Sequence, residues 1–258
     1  MYGSRGRIGL ITLATDASVL QEHSLPLPPG VSLYSAPIPL PRGEVTPAAL
    51  SEMLAGEELE RAARLLTAID PGLILFACTT GSLVHGVGWD RELIARIERA
   101  AGRQGTTTTT AVLAALRAVG ATSLAIATPY VAALNEIERR FFEASGFHVA
   151  AIAGLQCPTD AAIGRLTPQD AIDLVARVDR PEADAIFISC TTFHCLEAIA
   201  EIEARHGKPV ITSNQAGIWF ALRQIGINDP VLDHGRLLTL PDPHVPASSS
   251  MHLEATTP

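Results

Sequence analysis

Two stretches of the chain, Asp70–Thr80 and Glu182–Thr192, share one pattern: an acidic start, an unbroken apolar run, then Cys-Thr-Thr. They read Asp-Pro-Gly-Leu-Ile-Leu-Phe-Ala-Cys-Thr-Thr and Glu-Ala-Asp-Ala-Ile-Phe-Ile-Ser-Cys-Thr-Thr. Apolar runs of this length, without alternation, suit strands buried on both faces and hence a parallel sheet. The likeness extends outward. Upstream, Ile11–Thr15 resembles Leu124–Thr128. Downstream, Gly102–Gly120 parallels Gly207–Gly226, each with a small-residue linker, a Thr/Ser stretch and a helix ending in glycine. The offsets, 112 at the cysteines, 113 upstream and 105 to 106 downstream, are close to half of the 258 residues. This is an internal duplication, not a short-period solenoid, and it implies two similar α/β lobes related by a pseudo-twofold axis.

The rest of the chain fits that scheme. Strands are expected at Arg7–Leu13, Ser32–Pro37, Gly72–Ala77, Ser123–Ala127, Val149–Gly154, Asp184–Ser189 and Val210–Thr212. Helices are expected at Pro47–Ile69, Trp89–Ala101, Thr110–Val119, Val131–Ser145, Pro168–Val178, Cys195–Arg205 and Ala216–Ile225. Thr46 before Pro47 and Thr167 before Pro168 are N-cap signals, and glycine follows most of the helices. Strand–helix alternation throughout gives an α/β, doubly wound architecture. The boundaries read as 7–117 plus 212–240 for the lobe carrying Cys78 and 118–211 for the lobe carrying Cys190. Residues 241–258, rich in Pro and Ser, read as a flexible tail.

Composition narrows the function. Nineteen Lys and Arg against 27 Asp and Glu give a net charge of −8, which disfavours a nucleic-acid partner. No apolar run approaches a membrane span, and Ile8–Leu13, soon interrupted by Thr15 and Asp16, is expected to be a strand and not a signal peptide. A cytoplasmic location is expected, with Cys78, Cys157, Cys190 and Cys195 as free thiols. Neither metal-ligand spacing nor a phosphate-cradling glycine turn occurs, so neither a metal nor another cofactor is expected.

In open parallel sheets, ligands bind beyond the carboxyl ends of the strands, where both Cys-Thr-Thr motifs fall. A pseudo-twofold would set Cys78 and Cys190 on opposite sides of one small pocket in the interlobe cleft. Such a pair suits chemistry beside a carboxylate, with one sulfur as base or nucleophile and the other delivering a proton. A thiol at a helix start is expected to ionise more readily. Thr79, Thr80, Thr191 and Thr192, with neighbouring N–H groups, offer hydrogen bonds to a carboxylate or the enediolate formed from it. Tyr130 offers a hydroxyl at another strand end, and Asn135 follows on the next helix. Secondary candidates are Asp16 and Ser18 as cleft-lining residues, His85 and His194 as tuners of the thiols, and Thr106–Thr110 as an anion-facing run or a plain strand. Cys157 and Cys195 read as packing residues.

Several segments together resemble a known group. They are Arg7-Ile8-Gly9-Leu10-Ile11, Val45-Thr46-Pro47, Cys78-Thr79-Thr80-Gly81-Ser82, Ala111–Arg117, Ala127-Thr128-Pro129-Tyr130 with Asn135-Glu136, and Ser189-Cys190. In this order they resemble the aspartate/glutamate/hydantoin racemase superfamily over roughly residues 7–240. The nearest branch is that of maleate cis-trans isomerases, arylmalonate decarboxylases and ectoine-utilisation proteins. The resemblance implies two Rossmann-like lobes, cofactor-free chemistry, catalytic thiols at Cys78 and Cys190, and substrate contacts from Thr79, Thr80, Tyr130, Thr191 and Thr192. Three positions depart from the branch. Leu13-Ala14-Thr15-Asp16 stands where the isomerases carry a Ser-Asn-Thr loop. Leu50 replaces a tyrosine, and Cys78 stands where the decarboxylases have glycine.

The expected function is a cofactor-independent isomerase acting next to a carboxylate, maleate isomerase-like or racemase-like, on a small carboxylate or dicarboxylate. The alternatives are an arylmalonate decarboxylase-like carbon–carbon lyase and a non-catalytic dicarboxylate-binding protein. A homodimer is compatible with the exposed helices of such lobes.

Overall fold

The computed structural model describes residues 2–241, so the expected tail from 242 onward lies outside the described residues. The first half builds strands β1 (Gly6–Leu13), β2 (Val31–Ile38), β3 (Leu73–Phe76) and β4 (Gly105–Thr107), joined in the order β2-β1-β3-β4. The second half builds β5 (Ser123–Thr128), β6 (His148–Gly154), β7 (Ala185–Ile188) and β8 (Val210–Thr212), in the order β6-β5-β7-β8. All six strand pairings are parallel. The two sheets therefore share one topology, the architecture that the half-chain repeat implies. Side chains along β3 alternate between two cores, Ile74 and Phe76 in one, Leu73 and Leu75 in the other. Both faces are thus dry, which is why the strands read as continuous apolar runs.

Helices α1 (Val19–Ser24), α2 (Pro47–Ala55), α3 (Glu58–Leu66), α4 (Thr79–Leu83), α5 (Trp89–Ala101) and α6 (Thr108–Ala118) belong to the first half. Helices α7 (Ala132–Ala144), α8 (Asp160–Ile163), α9 (Pro168–Val178), α10 (Ile199–His206) and α11 (Ser213–Gln224) follow. The Thr46 side chain accepts from the Ala49 N–H, and Thr167 forms a full capping box with Asp170. Thr107 and Thr212 sit at equivalent places, each the last residue of a strand and the N-cap of the next helix. Helix α11 packs against α6, joining the two halves.

The structure corrects three boundaries. The expected helix Pro47–Ile69 is two helices, because Gly56 adopts an extended conformation that breaks the hydrogen-bond ladder. The run Thr106–Thr110 is neither all strand nor an anion-facing loop: it leaves β4 at Thr107 and enters α6 at Thr108. The Cys195–Arg205 helix opens as a single 3-10 turn at Leu196–Ala198 and becomes α-helical only at Ile199.

A buried carboxylate ties the halves together. Glu22, on α1, accepts 2.6 Å hydrogen bonds at Oε1 from the Cys195 and Leu196 N–H groups. Its Oε2 accepts from Asn214 Nδ2 at 2.6 Å, and the same amide nitrogen donates to Thr191 O at 2.8 Å. Removing such an acceptor strands buried donors. Glu22→Ala is expected to destabilise the protein by about 2–5 kcal/mol, read as a lowered urea midpoint at unchanged slope. A change below about 0.5 kcal/mol would show that water replaces the carboxylate.

Candidate active site

Residues just beyond the ends of β3 and β7 line one narrow, partly open hollow. From the first half it is lined by Leu13, Leu40, Val45, Leu50, Cys78, Thr79 and Thr80. From the second half come Tyr130, Asp160, Cys190, Thr191 and Thr192. The two cysteines and four threonines singled out by the repeat thus share one cavity. A more spacious hollow bordered by Val87, Arg91, Arg117 and Phe141 opens on the outer surface and holds no thiol.

Each thiol is placed by its strand end. Cys78 is the N-cap of α4 in an extended conformation, and a Cβ at Gly81 would come within 2.9 Å of its Sγ. Only glycine lets the first turn of α4 fold this closely under the sulfur. Cys190 has φ +103°, a left-handed conformation rare for a side-chain-bearing residue and characteristic of sites where geometry is imposed from outside. Its N–H donates to Ser213 Oγ at 3.0 Å, and Thr79 Oγ1 donates to the same oxygen at 2.8 Å. Ser213, the first residue of α11, therefore fastens a residue beside one thiol to the backbone of the other.

Tyr130 is held from behind. Its N–H donates to Thr128 Oγ1 at 3.1 Å, and that hydroxyl donates to Asn135 Oδ1 at 2.5 Å. Asn135 is not among the cavity-lining residues; it fixes the Thr128–Tyr130 turn. The adjoining Gly154 is equally constrained, since a Cβ there would lie 2.3 Å from Tyr130 O and 2.4 Å from Asn135 Nδ2. The Tyr130 hydroxyl lies beside Cys190 and favours its ionised form. Behind it, Ser189 Oγ is 3.5 Å from Tyr130 OH and donates to Glu138 Oε1 at 2.6 Å.

Burial governs the electrostatics. It pushes the Cys78 thiol up to about 12, outweighing the Gly81 N–H that would favour the thiolate. Cys190 is likewise raised well above the ordinary thiol range, by burial first and by the Asp160 carboxylate next. The expected easy ionisation at a helix start is therefore overridden, because desolvation exceeds what one N–H returns. Burial also carries Glu138 up to about 8.

The remaining candidates sit elsewhere. His85 packs edge-on against Trp89 at 4.6 Å between ring centroids, and His194 lies 3.9 Å from Glu197. Neither lines the cavity. Asp16 caps the Ser18 and Val19 N–H groups at 2.9 Å, and Ser18 Oγ donates to Thr192 O. Cys157 is half-buried and Cys195 fully buried, both outside the cavity lining. Among the described residues no cluster of His, Cys, Asp and Glu is suited to a metal ion, and no helix is long and apolar enough to cross a membrane.

Residue-by-residue reading of the sequence did not single out Asp160, Ser213, Ser189 or Glu138. Ser213 was legible as the position after a strand end, equivalent to Thr108 in the other half. Glu138 was legible as a charge on the apolar Leu134–Phe141 face of α7, where a carboxylate must be neutral or paired. Asp160 carried no local signal beyond opening a short helix.

Two measurements follow. In the substrate-free protein at about pH 8, iodoacetamide is expected to label Cys157 first, with Cys78, Cys190 and Cys195 reacting only on unfolding. Rapid labelling of Cys78 would contradict a neutral, buried thiol. Glu138 keeps its proton to about pH 8 when folded but only to about its ordinary 4.5 when unfolded. The native state thus binds the extra proton between these values, and stability falls as pH rises through the window. Glu138→Gln is expected to remove that slope, seen as urea midpoints for variant and wild type that diverge from about pH 5 to about pH 8.

The comparisons with known proteins identify the family. Residues 23–238 match the sequence profile described as arylmalonate decarboxylase. An arylmalonate decarboxylase from Bordetella bronchiseptica is 31% identical over 186 residues, 71% of this chain and 77% of that protein. A maleate isomerase from Nocardia farcinica is 28% identical over 244 residues, 90% of this chain and 95% of that one. Among solved structures, a Cys-to-Ser mutant of the Nocardia farcinica maleate cis-trans isomerase superposes with a TM-score of 0.86 at 25% identity, covering 91% of this chain and 98% of its own. It is described as carrying a covalently bound succinylcysteine intermediate. A liganded double mutant of arylmalonate decarboxylase, in which one glycine is replaced by cysteine and one cysteine by serine, gives 0.83 at 29% identity, with 90% and 98% covered. The chain belongs to the arylmalonate decarboxylase family, within the aspartate/glutamate racemase-like superfamily that also holds the maleate isomerases.

Proposed function

We propose that the chain is a cofactor-independent isomerase of small unsaturated carboxylates, working through Cys78 and Cys190. The observation that carries this reading is the pair of thiols lining one narrow hollow from two strand ends of like topology. The isomerase relatives, one of them with a succinyl group on cysteine, support it. Cys78 gives up its proton to solvent as the substrate enters, and its sulfur adds to one alkene carbon of a maleate-like substrate, the proton returning after product leaves. The electron pair moves onto the neighbouring carboxylate as an enediolate, and Cys190 delivers its proton to the adjacent carbon. The former double bond is now single and rotates. Cys190 takes the proton back, the Cys78–carbon bond breaks, and the trans acid leaves. Thr79, Thr80, Thr191, Thr192 and Tyr130 provide the hydroxyl donors that stabilise the enediolate. With this reading goes a division into lobes of 7–117 plus 212–240 and 118–211, the second boundary falling on the last residue of β8, with the site between them.

Decarboxylation is the second reading, favoured by the family profile and by the apolar wall of Leu13, Leu40, Val45 and Leu50. It calls for a single protonating sulfur, whereas this cavity holds two.

Proton NMR in heavy water separates the readings. A cis-alkene carboxylate is expected to convert to its trans isomer, and both Cys78→Ala and Cys190→Ala to lose at least about 1,000-fold in kcat/KM. Cys190→Ser is expected to accumulate an adduct on Cys78 with the mass of one added substrate. Release of carbon dioxide from substituted malonates, with Cys78→Ala still active, would instead establish the lyase.

A further inference from the structure

The proposed chemistry leaves one lining residue unused. Asp160 borders the same cavity as both thiols and is only 2% exposed. Its Oδ2 accepts from Thr15 Oγ1 at 2.5 Å and its Oδ1 from Thr192 Oγ1 at 3.2 Å. Both oxygens accept from hydroxyls, which fixes the group as an acceptor with lone pairs to spare, while burial first and the neighbouring Asp16 carboxylate next hold it above the usual carboxylate range. Its charge is felt at both sulfurs, where it opposes thiolate formation. The cavity offers nothing to offset that charge, for none of its twelve lining residues is Lys, Arg or His. A second carboxylate brought into this space would meet two acidic groups, Asp160 and the nearby Asp16, the second already raising the first, with no cation among the lining residues to offset it. A substrate end bearing N–H groups would instead find an acceptor already in place.

We infer that Asp160 is a specificity-determining residue, accepting a hydrogen bond from the end of the substrate opposite its reacting carboxylate. The preferred substrate is then a cis-alkene monocarboxylate ending in an N–H donor such as a primary carboxamide, rather than a dicarboxylate. This rests on the isomerase reading above and leaves its steps unchanged: sulfur addition, proton delivery, rotation and elimination proceed at the same two carbons. One carboxylate is served by the threonine and tyrosine hydroxyls, and the opposite terminus by Asp160.

The test compares maleate with its half-amide, maleamate, in wild type and Asp160→Asn, following the trans products by proton NMR. Titration calorimetry of the saturated analogues succinate and succinamate runs alongside. Wild type is expected to favour maleamate over maleate by at least about 100-fold in kcat/KM, and Asp160→Asn to shift that ratio toward maleate by a similar factor. A purely structural role would lower both substrates alike and leave the ratio in place, which would overturn the assignment. So would a wild type that favours maleate, and this arm stands even if the variant does not fold. If neither protein turns over either acid, the isomerase reading fails, and the calorimetry then decides the role of Asp160. Tighter wild-type binding of succinamate, reversed in Asp160→Asn, upholds it; equal or absent binding overturns it.

Discussion

Everything at the site depends on closing two sheets against each other without leaving a polar group dry and unpaired. The Ser213 hydroxyl and the Glu22 carboxylate carry most of that burden. Ser213 accepts from Thr79 and from the Cys190 N–H, so one oxygen fixes both strand ends. Glu22 collects the Cys195 and Leu196 N–H groups and the Asn214 amide, so the chain just beyond Cys190 cannot drift from the first half. Buried hydrogen bonds of this kind add little net stability each but are expensive to lose, so they specify one arrangement more than they strengthen it.

The same enclosure sets the chemical state of the thiols. Water would lower the cost of a thiolate, and the cavity, walled by Leu13, Leu40, Val45 and Leu50, admits little. The sulfurs are therefore neutral at rest. On the proposed mechanism a thiolate forms only once substrate enters, with the Gly81 N–H favouring the charged form at Cys78 and the Tyr130 hydroxyl favouring it at Cys190. The strained backbone at Cys190 fits this picture, for a φ of +103° persists only where its surroundings over-determine it.

An acidic side chain lines the same space. Asp160 lies in a cavity whose other polar groups are all neutral hydroxyls and thiols. The departure of the Leu13–Asp16 loop from the isomerase pattern points the same way, since Thr15 here donates to Asp160.

The sequence by itself determined the duplication, the parallel sheets, and which two of four cysteines share a site. Those follow from local apolar runs and from a repeat, and both are properties of the chain in one dimension. It missed the break at Gly56 and the strand-to-helix step inside Thr106–Thr110, where neighbouring residues gave no contrast. Only the tertiary structure decided that the thiols rest neutral, that Asn135 braces a turn instead of lining the cavity, and that Asp160, Ser213 and Glu138 belong to the site's surroundings. Desolvation and hydrogen-bond partnership depend on what lies within a few ångströms in space, and Thr15 meets Asp160 across 145 positions of sequence.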